Sequence, residues 1–198
     1  MYGRIFRPFA IGQFTIIPEG ETISGSDTIP LFLGKKGAFG SGEHETTASC
    51  LEFIAALPEL NGMHALDLGS GTGILAIAAA RLGVNHVVAL DIDWKAAVSC
   101  ADNVRLNEMG EQIVSVCGEL ACLADCSFDL LLANIYADIH LALSSQMVAM
   151  TRPGGYLLLS GIPLQDKFDV QQRFIREGCE QIDSRIMEEY STFLMRKL

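Results

Sequence analysis

Three glycines and a later carboxylate are the residues in this sequence whose spacing most clearly indicates a ligand site. The run LDLGSGTG at 66–73 places Gly69, Gly71 and Gly73 at alternate positions, directly before an apolar stretch. Glycines allow a tight strand-to-helix turn to bring its backbone close to a ligand. Asp91 follows twenty residues after Gly71, where a carboxylate can accept hydrogen bonds from both hydroxyls of a ribose. Together these features predict a ligand that contains a ribose.

The spacing of the glycines distinguishes between two adenosine-containing cofactors. A dinucleotide-binding loop has the pattern G-x-G-x-x-G and would need Gly or Ala at position 74, whereas this chain has Ile74. The pattern found, G-x-G-x-G, favours a ligand that carries an adenosine and an amino-acid moiety but no phosphate. We therefore predict S-adenosylmethionine as the cofactor. An NAD-dependent oxidoreductase is opposed by Ile74 and by the lack of evident hydride-site residues.

Each of these residues also has a structural alternative. Asp91 could cap the following helix, but Asp93 occupies the better N-cap position, so we assign the ligand role to Asp91. The glycines could form a turn without a ligand, although three alternating glycines exceed what a turn needs. Glu119 follows the third core strand, where it could approach the adenine amino group, although a surface glutamate is usually only solvated.

The chain between Met63 and Ser160 predicts the scaffold for these residues. Helical stretches alternate there with apolar β-type runs, namely MHALDL, HVVAL, QIVSVC, FDLLLANI and GYLLLS. Such alternation predicts a parallel sheet with helices on both faces. A helix at 167–177 and β-type runs at 180–187 and 192–196 add a closing antiparallel hairpin. The expected fold class is a doubly wound, mostly parallel, Rossmann-like α/β sheet of seven strands.

The chain before residue 45 has a different pattern. FRPFAIGQFTIIP and TIPLFL are short β-type pieces separated by proline and glycine. We interpret residues 1–44 as an extended N-terminal arm and a glycine-rich loop, and place the domain itself at 45–198. The loop, FGSGEHETT at 39–47, carries hydroxyls suited to N-capping or to contact with a carboxylate. Its His44 is more often a gate or cap contact than a base.

Composition limits the partners and the location. Fourteen basic against twenty-four acidic residues give a net charge of -10, which argues against direct binding of nucleic acid. The longest aliphatic run, at 74–80, is too short to span a membrane, and the N-terminus lacks a signal-peptide pattern. We therefore expect no membrane association and a cytoplasmic location.

The cysteines do not predict a metal site, because no C-x-x-C pair occurs in the sequence. We interpret three closely spaced cysteines as reduced, half-buried thiols: Cys117, Cys122 and Cys126.

Asn134 ends the fourth core strand and is the candidate catalytic residue. Its carboxamide oxygen can orient an amine nucleophile, and an apolar wall around Ile135 and Tyr136 would disfavour a charged ammonium group. For an isolated asparagine, capping of a strand is about as good an explanation. The neighbouring motifs favour the catalytic role.

Four blocks taken together, AFGSGEHETT, LDLGSGTGILAIAA, ALDID and LLANI, resemble the ribosomal protein L-eleven methyltransferase family (PrmA-type). The similarity runs from roughly Phe6 to the C-terminus, and full-length members carry an additional N-terminal recognition domain. The resemblance implies S-adenosylmethionine contacts at Thr47, Gly69, Asp91 and Asn134, with Asn134 also lining the amine site. It implies methylation of amino groups and no metal.

The hypothesis is therefore an S-adenosylmethionine-dependent methyltransferase that acts on amino groups of a protein, such as a basic ribosomal protein. Two alternatives with the same cofactor stay open. One is a small-molecule methyltransferase whose N-terminal arm closes over its substrate. The other is a non-catalytic S-adenosylmethionine-binding module that acts through a partner protein. The low fraction of charged residues is compatible with such a module being half of an oligomer.

Overall fold

The computed structural model describes residues 7–22, 27–34, 42–123 and 125–198. Three residues of the predicted glycine-rich loop, Phe39, Gly40 and Ser41, lie outside this part of the chain, as does Phe6. The elements follow in the order β1 (Phe9–Ile11), β2 (Phe14–Pro18), β3 (Ile29–Leu33), α1 (Glu45–Ala56), β4 (His64–Leu68), α2 (Ile74–Arg81), β5 (His86–Asp91), α3 (Trp94–Leu106), β6 (Ile113–Cys117), β7 (Phe128–Asn134), α4 (Ala137–Met150), β8 (Thr151–Pro163), α5 (Lys167–Arg176), β9 (Cys179–Ile186) and β10 (Tyr190–Lys197).

The main sheet has seven strands in the order β6-β5-β4-β7-β8-β10-β9. The strands from β6 to β8 are parallel, and β10 pairs antiparallel with both β8 and β9. The predicted fold class is confirmed, including the closing hairpin. Because β5 and β7 lie on opposite sides of β4, the strand order reverses there. Open sheets of this kind bind ligands at the carboxyl ends of the strands at such a point.

Burial on both faces explains the near-continuous apolar strands. Along β7, Leu130 and Leu132 join one core cluster while Leu131 and Ala133 join another on the opposite face. Successive side chains of a strand point to opposite faces, so every position must be apolar when helices cover both. The two cores hold β4 and β7 rigidly in the centre of the sheet, which fixes the positions of the residues at their carboxyl ends.

The N-terminal segment forms a separate three-stranded sheet in the order β1-β2-β3. Strand β2 pairs antiparallel with β1 and parallel with β3. Phe14 and Leu31 are completely buried in the same core cluster as Leu51 and Ile54 of α1. What the sequence indicated as an extended arm is therefore a small sheet that shares the core of the chain.

The cysteines divide into buried and exposed groups. Three are buried thiols, and Cys117, Cys122 and Cys126 are exposed, so the prediction that these three are half-buried was wrong. Cys117 ends the edge strand β6, Cys122 lies in a short 3-10 helix (Leu120–Leu123) that follows it, and Cys126 lies just before β7. In the described residues, no group of three His, Cys, Asp or Glu side chains could hold a metal ion. Nor does this part of the chain contain a helix long and apolar enough to cross a bilayer.

Candidate active site

A cavity of about 430 Å³ lies at the carboxyl ends of β4 and β5, within the usual size range of small-molecule sites. Residues of α4 form its opposite side. Of the residues selected from the sequence, Gly69, Asp91 and Glu119 line this cavity, together with Ile135. The sheet thus brings together three predicted ligand residues that are separated by up to fifty positions in the chain. A second cavity of about 650 Å³, beside Gly34 and Asp102, lies between the N-terminal sheet and α3.

The glycine loop is held by hydrogen bonds to the neighbouring strand. The N–H groups of Gly69 and Ser70 both donate to the carbonyl oxygen of Leu90, at 2.8 and 3.1 Å. The N–H of Gly71 donates to Oδ2 of Asp91 at 2.9 Å. The loop is therefore attached to the end of β5, and its first residue, Gly69, lines the cavity.

Packing within the chain accounts for two of the glycines. A Cβ atom on Gly69 would lie 2.4 Å from Cγ2 of Ile135, and one on Gly73 would lie 2.5 Å from Sγ of Cys100. Both glycines also have positive φ angles, 71° and 78°, which other residues adopt only with strain. The glycines are therefore required by the turn itself, and the indication of a ligand comes from the cavity and from Asp91.

Asp67 supports the loop from below. It is the fourth residue of β4 and is 1 % exposed, and its Oδ2 accepts a hydrogen bond from the N–H of Ala76 in the first turn of α2 at 3.1 Å. Gly73, at the N-cap of α2, has no side chain to supply this bond. Burial raises the pKa of Asp67 to about 7. Asp67 was not predicted from the sequence as a site residue, although it stands inside the glycine motif.

Asp91 and Asp93 occupy the different positions that the sequence suggested. The side chain of Asp93 accepts a hydrogen bond from the N–H of Lys95 at 2.9 Å and caps α3, so the predicted N-cap is confirmed. Oδ1 of Asp91 accepts from the N–H of Asp93 at 2.9 Å, while Oδ2 accepts from Gly71. The Asp91 carboxylate is thus oriented in advance beside the cavity, and its role as a ligand residue stays a prediction.

Asn134 has a buried carbonyl oxygen that lacks a partner. Its Oδ1 is buried and makes no hydrogen bond among the described residues. Its Nδ2 donates to Oγ1 of Thr47, in α1, at 3.4 Å. Leaving a buried acceptor unpaired costs about 1 to 3 kcal/mol. The carboxamide is therefore oriented by Thr47, and its buried oxygen keeps an unused capacity to accept a hydrogen bond.

The start of α1 uses His44 as a cap. Nδ1 of His44 accepts a hydrogen bond from the N–H of Thr46 at 3.4 Å and lies 2.8 Å from Oγ1 of the same residue. The ring also packs edge-on against Tyr190 with 5.1 Å between centroids. The expectation of a cap contact for His44 is confirmed. Thr47, three residues later, is 1 % exposed and reaches Asn134 instead of the cavity.

Ile135 and Tyr136 do not form a common wall. Ile135 lines the cavity and contacts the glycine loop at Gly69. Tyr136, the N-cap residue of α4, is 74 % exposed, so the predicted apolar wall was wrong for this residue. Tyr136 instead lines an outer groove of about 420 Å³ with Asp138 and Asp166.

His140 is a residue near the site that sequence analysis missed. It is completely buried in α4, and its Nε2 lies 2.9 Å from the carbonyl oxygen of Ser160. The same oxygen accepts a hydrogen bond from the N–H of Ile135 at 3.2 Å. Burial lowers the pKa of His140 to about 4, so the ring is neutral and Nε2 donates to Ser160. The turn after Asn134 is thereby attached to β8 and α4.

Comparison with known proteins adds a decisive observation to this geometry. The sequence model described as ribosomal protein L11 methyltransferase (PrmA) matches residues 2–198. The chain belongs to this family. The L11 methyltransferase of Methylococcus capsulatus is 40% identical over 179 residues, which cover 88% of this chain and 59% of that protein. The one from Exiguobacterium sp. is 34% identical, and the match covers 97% of this chain and 62% of the relative. The chain therefore spans about 60% of the length of these PrmA relatives.

Solved structures agree with the assignment to PrmA. The crystal structure of a ribosomal protein L11 methylase from Lactobacillus delbrueckii subsp. bulgaricus has a TM-score of 0.87 and 27% identity, covering 98% of this chain and 100% of that one. A Thermus thermophilus 16S rRNA methyltransferase, in complex with AdoMet and guanosine, has a TM-score of 0.68 at 20% identity and covers 81% of this chain and 45% of its own. The second comparison shows a shared fold. The family resemblance predicted from the sequence is confirmed.

Proposed function

We propose that this chain transfers the methyl group of S-adenosylmethionine to an amino group of a ribosomal protein. The first candidate acceptor is L11, because the relatives in this family are named for it. The observation that carries the proposal is the buried Oδ1 of Asn134, which has no partner in the described part of the chain. An acceptor oxygen at the end of a central strand, beside a cavity of cofactor size, suits an incoming N–H donor.

The cavity residues fit the proposed cofactor. The carboxylate of Asp91 can accept hydrogen bonds from ribose hydroxyls, and Glu119 lines the same cavity at a position where it can accept from an adenine amino group. Leu90 and Ile135 supply apolar surface for the flat base. When bound, S-adenosylmethionine would supply an electrophilic methyl group on a sulfonium. The bacterial enzyme with AdoMet bound shares this fold, which supports the same ligand class here.

Asn134 would act on the amine. Oδ1 would accept a hydrogen bond from one N–H of the neutral amine, which would leave the nitrogen lone pair pointing away from Asn134. The bound cofactor would supply the methyl group and leave as its neutral thioether, and the methylated nitrogen would release a proton to water. A lysine must lose its proton first, since its reference pKa is about 10.4. The apolar side chain of Ile135 next to Asn134 disfavours the charged ammonium form.

The charge of the chain supports a basic acceptor. The net charge is -10, and the outer groove beside the Asn134 turn carries Asp138 and Asp166. An acidic surface attracts a cationic protein over long range and increases its rate of encounter. We expect this encounter in the cytoplasm, where ribosomal proteins are made and assembled.

Incubation with methyl-labelled S-adenosylmethionine tests the proposal. Purified L11 is one acceptor, a protein-free extract of small molecules is the other, and the Asn134→Ala chain is the matched control. Label in L11 that depends on Asn134 would support the proposal. Label only in small molecules would favour the small-molecule alternative, and cofactor binding without transfer to either would favour a non-catalytic binding module.

A further inference from the structure

Two asparagines, one in α3 and one at its C-cap, attach this helix to the N-terminal sheet. Asn103 and Asn107 are only 3 % and 1 % exposed and lie one helical turn apart. Oδ1 of Asn107 accepts a hydrogen bond from the N–H of Phe32 at 2.9 Å, and its Nδ2 donates to the carbonyl oxygen of the same residue at 2.7 Å. The Asn107 carboxamide therefore pairs with β3 through the same two backbone groups that an additional strand would use.

Asn103 makes a different pair of contacts. Its Oδ1 accepts a hydrogen bond from the N–H of Gly34, directly after β3, at 2.8 Å. Its Nδ2 donates to the carbonyl oxygen of Thr72 at 2.8 Å. Thr72 lies between Gly71 and Gly73 in the glycine loop. A single buried carboxamide thus joins the end of the N-terminal sheet to the loop that borders the cavity.

We propose that Asn103 is a positioning residue for cofactor binding, an inference that rests on the proposed function. The first part of the glycine loop is fixed by Leu90 and Asp91 at the end of β5. Thr72 follows Gly71 and precedes Gly73, two residues with positive φ, and glycines give a chain many alternative conformations. By holding the Thr72 carbonyl, Asn103 fixes the second part of the glycine loop, whose first residue, Gly69, lines the cavity.

The contacts of the two asparagines provide a matched pair of variants. Asn103→Asp keeps the acceptor for the N–H of Gly34 but replaces the donor to Thr72 with a second oxygen. Asn107→Asp makes the same chemical change opposite the carbonyl oxygens of Phe32 and Asn103, and Asn107 makes no hydrogen bond to the glycine loop in the described structure. Both variants lose buried hydrogen bonds from a side-chain amide to a backbone carbonyl oxygen. Only Asn103→Asp removes a hydrogen bond to the glycine loop.

Titration calorimetry of the whole chain with S-adenosylmethionine is the test, at a temperature where circular dichroism shows each variant to be folded. We expect Asn103→Asp to weaken binding by about tenfold or more, the effect of one lost buried hydrogen bond. Asn107→Asp should stay within about twofold of the wild type, although its unfolding midpoint falls. Should Asn103→Asp fail to fold, Asn103→Ala, which introduces no charge, is used for the same comparison.

A pH series separates positioning from a general loss of stability. A buried aspartate has a raised pKa, so the carboxyl group that Asn103→Asp introduces should take up a proton as the pH falls and regain an O–H that can donate to the Thr72 carbonyl. Relative to the wild type, the affinity of Asn103→Asp for S-adenosylmethionine should recover as the pH is lowered from about 8 to about 5.5. The affinity of Asn103→Ala should not recover. Equal affinities for the Asn103 and Asn107 variants would overturn the positioning role. Absence of binding by the wild-type chain would overturn the proposed function as well.

Discussion

Oδ2 of Asp91 accepts a hydrogen bond from the N–H of Gly71 at 2.9 Å, which attaches the carboxylate at the end of β5 to the glycine loop at the end of β4. The two features that stand twenty residues apart in the sequence are therefore one unit in the fold. A ribose would meet a carboxylate that needs no reorientation, so less conformational freedom is lost on binding.

Removal of the Asp91 carboxylate should weaken cofactor binding. For Asp91→Ala we expect the dissociation constant for S-adenosylmethionine to rise about tenfold or more, because charge-assisted hydrogen bonds to the ribose are lost. Turnover at saturating cofactor should change much less. Asp93→Ala is the matched control, since loss of this cap should lower the free energy of unfolding by about 1 kcal/mol without altering affinity. Similar affinities for the two variants would contradict the assignment of Asp91.

Replacement of Asn134 should have the reverse effect. Asn134→Ala removes the oxygen that would orient the amine, and we expect single-turnover methyl transfer to slow by about a hundredfold. The dissociation constant for S-adenosylmethionine should stay within about threefold of the wild type, as measured by calorimetry. If transfer stays at the wild-type rate while cofactor affinity collapses, Asn134 is a binding residue and not a catalytic one.

Asp67 should make the chain less stable as the pH rises. The folded chain keeps the proton of Asp67 up to about pH 7, whereas an unfolded aspartate releases it near pH 3.8. The folded chain binds more protons in this window, so the free energy of unfolding falls as pH increases. Asp67→Asn removes this contribution. Urea unfolding at several pH values from 4 to 8 measures this effect. Over that range the free energy of unfolding of Asp67→Asn should rise relative to that of the wild type by on the order of 2 to 4 kcal/mol. If the two proteins show the same dependence on pH, the raised pKa of Asp67 is contradicted.

His140 should have the opposite effect on acidification. The folded chain leaves His140 neutral down to about pH 4, whereas an unfolded histidine takes up a proton near pH 6.5. The unfolded chain binds more protons in this window, so the free energy of unfolding falls as the pH is lowered. His140→Gln should reduce this loss by on the order of 2 to 3 kcal/mol, measured as the change between about pH 7 and about pH 4. An unchanged acid sensitivity would show that folding does not lower the pKa of His140.

The main sheet was predictable because its strands are buried on both faces and are therefore apolar throughout. The N-terminal sheet was not predictable in the same way. Residues 14–18 and 29–33 show β-type patterns, but their parallel pairing and their place in the shared core arise from contacts between distant segments. Local patterns indicate that a strand forms and give no information on which strand lies beside it.

The site was predictable where motif residues stand at strand ends, as Gly69 and Asp91 do. The contact of Thr47 with Asn134 joins residues 87 positions apart, and only the family resemblance suggested Thr47. Asn103 and His140 were missed because a polar residue within a helix usually faces solvent. A signal was nevertheless present, since Asn103 lies three residues after the buried Cys100 and so continues the buried side of α3.

The shared core of the N-terminal sheet has a consequence for how the chain folds and how it can be expressed. Phe14 and Leu31 belong to the same core cluster as Leu51 and Ile54, so residues from both parts bury one continuous apolar core. We expect thermal denaturation to show a single cooperative transition for the two sheets. A recombinant fragment that starts at residue 45 would present this surface to water and would be expected to aggregate, so the N-terminal strands belong in any recombinant version of this chain.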